Sequence, residues 1–159
     1  MSNRDRDPAG RARNARPRDA RGRPLPRGAT GVDRVPEDIV LSPDEALQLA
    51  QQLIDDGYPF HAHEVLEGVW KATSGEGREL WQGLAQLAVG LTHVQRSNPK
   101  GAVSLLRRAA DRIGLYAAAP PHGLTVADLV THARSMADCI ERDGLDSVSA
   151  ETQRPRLRR

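Results

Sequence analysis

Three side chains in the middle of the sequence, His63, Glu67 and His93, are of types that bind divalent metal ions. His63 and Glu67 stand four residues apart, so on a helix they share one face. With His93 they would make a ligand set that suits zinc, iron or manganese and leaves one coordination position open. A metal-bound water would then be the nucleophile of a hydrolytic centre, with Glu64 as the candidate base. One hypothesis is therefore a metal-dependent hydrolase site.

A second group of candidate residues lies in the segment over residues 80–95, which contains no Asp, Glu, Lys or Arg. A helix without charge on any side is usually buried on most sides, so this segment is predicted to be central. Its polar stripe, Gln82, Gln86 and His93, is then expected to lie inside, where polar groups need partners. Trp70 lies on the same helical face as the first histidine of the ligand set. Gln82, Gln86 and Trp70 are accordingly predicted to contact a ligand or to support the metal ligands.

The same residues also fit a second interpretation, a closed hydrogen-bond network that fixes the packing of a non-enzymatic helical interaction domain. The spacing does not match known metal motifs, because Glu67 stands where a zinc protease needs a second histidine. It is not the Glu-x-x-His pattern of di-iron bundles either. His61 and His63 lie about 200° apart on a helix, so both cannot point inward. The residue pattern leaves the metal or small-ligand site and the structural network both open.

Five segments with apolar residues at helical spacing must position these side chains. Ser42 and Glu45 form a capping box that opens the first segment, and Asn98 caps the fourth. No alternating strand pattern is present, and the connecting loops are short. The sequence predicts an all-α, compact antiparallel helical bundle. The predicted helix starts lie near Pro43, Pro59, Arg78, Pro99 and Thr125.

Charge divides the chain into three parts. Residues 1–36 hold ten Arg and four Asp, so they carry a net charge of +6 and too little apolar surface to fold. Residues 37–150 carry a net charge of −7, and residues 151–159 a net charge of +3. We expect a helical domain over 37–146 between disordered basic tails over 1–36 and 147–159. RNA or DNA contact through the tails is the weakest hypothesis, because the acidic domain repels nucleic acid.

The location of the protein is predicted from the lack of a membrane-spanning segment and of a secretory signal in the sequence. Residues 80–95 are too short and too polar to span a bilayer. The positively charged N-terminus is not followed by the apolar run of a secretory signal. We expect a cytoplasmic protein without a membrane anchor. A homodimer fits so small a bundle, but the sequence fixes neither the oligomeric state nor whether the protein is an enzyme.

Three stretches together resemble the domain of unknown function 309 family, over about residues 42–115. They are residues 62–67 (AHEVLE) with Trp70, residues 82–88 (QGLAQLA) with His93, and residues 98–102 (NPKGA). The resemblance implies a small all-helical bundle, and some members carry the label "predicted metal-dependent hydrolase". His61 departs from the family pattern, in which an acidic residue often precedes the alanine. The signature positions that the resemblance implies are His63, Glu64, Glu67, Gln82, Gln86 and His93.

Overall fold

The structure is a computed structural model that describes residues 41–159, together with the backbone of two short strands before them. Its helices are α1 (Pro43–Asp55), α2 (Pro59–Ala72), α3 (Arg78–Gln95), α4 (Pro99–Gly114) and α5 (Val126–Asp143). Single-turn 3-10 helices lie at Pro121–Gly123 and Leu145–Ser147. The predicted all-α class and the five predicted helices are confirmed. None of the described helices combines the length and the apolarity that crossing a bilayer requires.

The two strands, β1 (Asp5–Arg6) and β2 (Ala12–Arg13), form an antiparallel pair of two residues each. They add no layer to the helical architecture. Apart from this backbone, the predicted disordered tail over 1–36 lies outside the described residues. The prediction that this tail contacts nucleic acid lies outside them as well.

Each helix packs against the next one along the chain, so α3 lies between α2 and α4, and α5 packs on α4. The leucines of α3, among them Leu80, Leu84 and Leu91, are at most 1% exposed. Trp81 is 2% exposed and belongs to the same core. The prediction that the uncharged third helix is central is therefore confirmed. Helices this short gain most of their stability from such packing rather than from propensity.

Two glycines on α3 allow it to approach α4 closely. A Cβ at Gly83 would lie 3.0 Å from Arg112 Cβ and from Ile113 Cγ1. A Cβ at Gly90 would lie 2.9 Å from Leu106 Cγ and Cδ2. At Gly90 a Cβ would force Leu106 to shift, and at Gly83 it would make an unusually tight contact, so glycine at both positions favours the observed close approach of α3 and α4. The two glycines are seven residues apart, which places them on one face of α3.

The prediction that residues 147–159 form a disordered tail is wrong. Val148 is 8% exposed and Leu157 is 1% exposed, and both belong to the main hydrophobic cluster. The backbone N–H of Leu157 donates to Gln51 Oε1 (2.8 Å), and the Thr125 N–H donates to the Leu157 carbonyl (3.0 Å). Because the segment is rich in arginine, its composition gave no sign that these two apolar side chains would be buried. Buried leucine supplies the free energy that offsets the cost of ordering the segment.

The α3–α4 approach gives a matched pair of glycine substitutions. Gly90→Ala is expected to lower the free energy of unfolding by about 1–3 kcal/mol, because the added methyl group meets Leu106 and overpacks the core. Gly68 lies exposed on α2 with nothing within 4 Å of a built Cβ. Gly68→Ala is expected to raise the stability by up to about 1 kcal/mol through helix propensity. Urea unfolding of both variants measures the difference, and equal effects would contradict the close approach.

Candidate functional site

The polar face of α2 carries three ionisable side chains at four-residue spacing, here named the α2 ladder: His63, Glu67 and Lys71. His63 Nε2 lies 2.6 Å from Glu67 Oε2, and Lys71 Nζ lies 2.7 Å from Glu67 Oε1. The prediction that His63 and Glu67 share a face is thus confirmed. Lys71 was not among the predicted site residues, although its spacing of four from Glu67 is the usual signal for such a pair.

The α2 ladder keeps Glu67 ionised. The hydrogen bond from His63 lowers the pKa of Glu67 from 4.5 to about 2, with Lys71 acting in the same direction and partial burial opposing both. Both carboxylate oxygens therefore already accept a proton donor on the same helix. A metal ligand at this position would have to exchange one of these partners for the ion.

His93 is held by the first turn of α4. The Gly101 N–H donates to Asn98 Oδ1 (3.1 Å), so the other end of that amide, Nδ2, faces His93 Nδ1 at 3.1 Å. The amide nitrogen can only donate, hence His93 Nδ1 accepts and the ring proton resides on Nε2. A Cβ at Gly101 would lie 2.6 Å from Asn98 Nδ2 and 2.9 Å from His93 Nδ1. Asn98 and Gly101 are therefore the residues that position His93.

The surroundings of His93 favour its neutral form. Burial lowers the pKa of His93 below 6.5, and the neighbouring positive charge of Arg96 lowers it further. Protonation would also place an N–H against the Asn98 amide donor. The imidazole is thus a neutral hydrogen-bond acceptor at physiological pH, with a role in joining the end of α3 to the start of α4.

The two halves of the predicted cluster are not joined. Within residues 41–159, no hydrogen bond links the α2 ladder to Gln82, Gln86 or His93. The same part of the chain contains no group of three His, Cys, Asp or Glu side chains that could hold a metal ion. The structure therefore assembles neither the closed network nor the three-ligand set of His63, Glu67 and His93.

The polar stripe of α3 lies partly exposed, not inside as expected. Gln82, Gln86 and His93 are each half-buried, because the Leu, Ala and Gly faces of α3 are the ones that pack on α2 and α4. Three polar atoms in the area are nevertheless buried and have no hydrogen-bond partner among the described residues. They are His63 Nδ1, Trp70 Nε1 and Gln86 Oε1.

Trp70 and the candidate base, Glu64, both lie on α2 and are half-buried. The Arg78 guanidinium lies 4.7 Å from the Trp70 ring centroid, a cation–π contact at the turn between α2 and α3. Glu64 follows His63 directly, so the two side chains diverge by about 100° around the helix. The role of Glu64 as a base stays a prediction.

The buried histidine of α2 is His61, not His63. His61 is 0% exposed, with the rings of Tyr58 and Phe60 at 5.9 Å in edge-to-face arrangement. His63 is 20% exposed in its side chain. The helical geometry required that one of the two point away from the core, and the packing of α2 in the bundle places His61 inside. The sequence pattern alone gave no signal for this choice.

Comparison with known proteins gives one match. Residues 47–105 fit the family model described as "Domain of unknown function (DUF309)". This segment resembles DUF309. The match covers α2, α3 and part of α1 and α4, a shorter stretch than residues 42–115, and it supports the family that the motifs indicated. The DUF309 description names no activity, and the metal-dependent hydrolase label stays a prediction. No curated protein and no solved structure shows significant similarity to the chain.

The α2 ladder of the DUF309-like segment predicts a pH-dependent effect at Glu67. Glu67→Gln is expected to lower the free energy of unfolding at pH 7 by roughly 1 kcal/mol, after allowance for solvent screening. Because folding lowers the pKa, this contribution is complete above pH 4.5 and is lost as the pH falls toward 2. Chemical denaturation from pH 7 to 2 measures it. Exposed Glu76→Gln is the control, and a pH-independent Glu67 effect would contradict the assignment.

His93 predicts a second pH dependence in a different range. Folding lowers the pKa of His93, so the unfolded chain binds the proton more tightly and stability falls as the pH drops below 6.5. His93→Gln removes this titration while keeping an acceptor for Asn98. The wild-type chain is expected to lose more stability than His93→Gln between pH 7 and 5. Titration of the His93 ring by NMR at or above 6.5 would disprove it.

Proposed function

We propose that this chain is a non-enzymatic helical interaction domain that binds another protein through the half-exposed polar surface of α2 and α3. This contact row consists of His63, Glu67, Trp70, Gln82 and Gln86. The observation that carries the proposal is that several polar atoms of the contact row lack a hydrogen-bond partner. Buried atoms of His63, Trp70 and Gln86 have no hydrogen-bond partner among the described residues.

Unpaired buried polar atoms cost free energy, so proteins rarely keep them unless something else satisfies them. These atoms are closed to solvent in the single chain, so the half-buried side chains must turn outward when a partner docks. The partner would then supply donors to His63 Nδ1 and Gln86 Oε1 and an acceptor to Trp70 Nε1. Interfaces are enriched in tryptophan and arginine, and the Trp70–Arg78 contact lies at one end of the row. His93, held by Asn98, has a structural role in this proposal.

The rival function is the divalent-metal or small-ligand site, with metal-dependent hydrolysis as its finer form. One contact favours it. His63 donates from Nε2 to Glu67, which leaves the Nδ1 lone pair available, and carboxylates commonly orient metal-binding histidines in this way. In this rival, Glu67 would orient His63 instead of binding the metal. The two functions differ in metal content and in what the glutamines do.

Two double variants with the same chemical change test the proposal. Gln82→Ala with Gln86→Ala removes the glutamines of the contact row at four-residue spacing. Gln48→Ala with Gln52→Ala makes the same change on the exposed face of α1. Neither pair is expected to lose stability, since alanine favours helix and none of the four glutamine side chains makes a hydrogen bond among the described residues. Partner proteins captured from the native extract are compared between the two, and the binding of the purified partner is measured by calorimetry.

The proposal expects a partner that the α1 variant and the wild-type chain bind equally and that the contact-row variant loses, by roughly tenfold or more in affinity. Elemental analysis of untagged protein, purified without added metal or chelator, is expected to find no stoichiometric metal. One zinc, iron or manganese per chain, lost in His63→Ala, would instead establish the rival. Equal binding by both double variants would remove the contact row from the interaction.

A further inference from the structure

The residues after the second 3-10 turn fold back across α1 and the start of α5. Residues 153–159, here named the C-terminal segment, run between α1 and the start of α5. Pro155 is buried and Leu157 is 1% exposed, while Arg156 between them is exposed. This alternation of inward and outward side chains is the pattern of an extended peptide seated in a groove.

One side chain of α1 contacts the backbone of this segment at two points. Gln51 Nε2 donates to the Pro155 carbonyl (3.0 Å), and Gln51 Oε1 accepts from the Leu157 N–H (2.8 Å). The donor and the acceptor of a single amide thus bind backbone groups two residues apart. Such a contact depends on the extended backbone and not on the side chain between the two groups.

On the other side of the C-terminal segment, Thr125 at the start of α5 binds the same backbone. The Thr125 N–H donates to the Leu157 carbonyl (3.0 Å), and the Thr125 hydroxyl donates to the Arg156 carbonyl (3.0 Å). Leu124 and Arg158 form an isolated antiparallel bridge. Backbone bonds from an edge, together with pockets for alternate side chains, are the features by which proteins recognise peptides in β-strand addition.

Charge selects the residue after the buried leucine. Arg158 Nη1 lies 3.0 Å from Asp44 Oδ1 at the start of α1. Helix α1 contains three acidic residues, Asp44, Glu45 and Asp55, and no basic one. A groove with a buried proline site, a buried leucine site and an acidic end fits the sequence Pro-x-Leu-Arg.

We propose that this groove is a peptide-docking site for extended Pro-x-Leu-Arg segments, and that the ligand it takes in trans is the C-terminal segment of a second copy of this chain. Every copy carries both the groove and its ligand, so exchange between copies reproduces the contacts of Gln51 and Thr125 without a new interface. Exchange of an identical element is a low-cost route to a dimer. The covalently linked segment competes through its high effective concentration, so it keeps the groove occupied in the single chain.

Complementary full-length variants test this exchange. Leu157→Ser spoils the ligand and leaves the groove, whereas Gln51→Ala weakens the groove and leaves the ligand. Either variant alone is expected to be monomeric by light scattering. Their mixture is expected to form a 1:1 complex in which the segment of the Gln51→Ala copy occupies the groove of the Leu157→Ser copy. A mixture that stays monomeric at about 100 µM, with both variants folded by circular dichroism, overturns the proposal.

A labelled peptide of residues 153–159 (QRPRLRR) provides the second measurement. It is expected to bind the Leu157→Ser chain at least roughly tenfold more tightly than the wild-type chain, since the wild-type groove is open only part of the time. The same peptide with Leu157→Ser keeps the charge and is expected not to bind. Equal binding of both peptides would assign the effect to arginine charge and contradict the groove.

If the Leu157→Ser chain fails to fold, the same peptide tests the proposal on the wild-type chain. Because the peptide remakes the same contacts to Gln51 and Thr125, its binding is followed on the displaced segment: added to the wild-type chain at millimolar concentration, it is expected to shift the amide signals of the chain's own Arg156, Leu157 and Arg158 saturably. The peptide with the leucine replaced leaves them unchanged. Absence of these shifts with the native peptide overturns the proposal. A monomeric mixture of the variants, together with native-peptide binding, would show that the trans ligand comes from a different protein.

Discussion

The close approach of α3 to α4 is the constraint on which the rest of the domain depends. A methyl group at Gly90 would overlap the Leu106 side chain, and one at Gly83 would press tightly against Arg112 and Ile113. This contact fixes the rotation of α3 about its axis, because the glycine face must meet α4 and the leucines must fill the core. Once that rotation is set, the glutamines of α3 have only a partly exposed position available. The surface chemistry of the domain therefore follows from a packing requirement.

The polar residues divide into two groups that serve different ends. Asn98 uses both ends of its amide to join His93 to the first turn of α4, and Gly101 leaves the space for it. The α2 ladder is paired within its own helix, where partial exposure to water limits what each ion pair adds to stability. Buried side-chain atoms of His63 and Trp70 on α2, and of Gln86 and Gln95 on α3, have no hydrogen-bond partner among the described residues. The binding role that we propose rests on the unpaired atoms of His63, Trp70 and Gln86.

The C-terminal segment completes the core from outside the helices. Leu157 is as well buried as the leucines of α3, and Gln51 on α1 holds its backbone in an extended form. The segment connects α1 to the start of α5, two elements that are distant in the order of helix packing. Arg158 of the segment lies 3.0 Å from Asp44 at the acidic start of α1, so opposite charges of the segment and the helix meet at this contact.

The sequence by itself determined the helices and their ends. Capping side chains such as Ser42 and prolines such as Pro59 act over a few residues, so their effect is readable without tertiary contacts. The uncharged stretch of α3 likewise showed that this helix is central, because desolvating charges on any face would be costly. The pairing of His63 with Glu67 also followed from local spacing.

Only the tertiary structure decided which way the polar groups face and what they touch. Helical spacing showed that His61 and His63 cannot both point inward, and the packed bundle buries His61. The order of the C-terminal segment depended on Gln51, about a hundred residues away along the chain, whose amide matches the backbone of an arginine-rich stretch. Local spacing determines which residues share a helix face, whereas the partner of that face is set by contacts between distant segments, which no local pattern encodes.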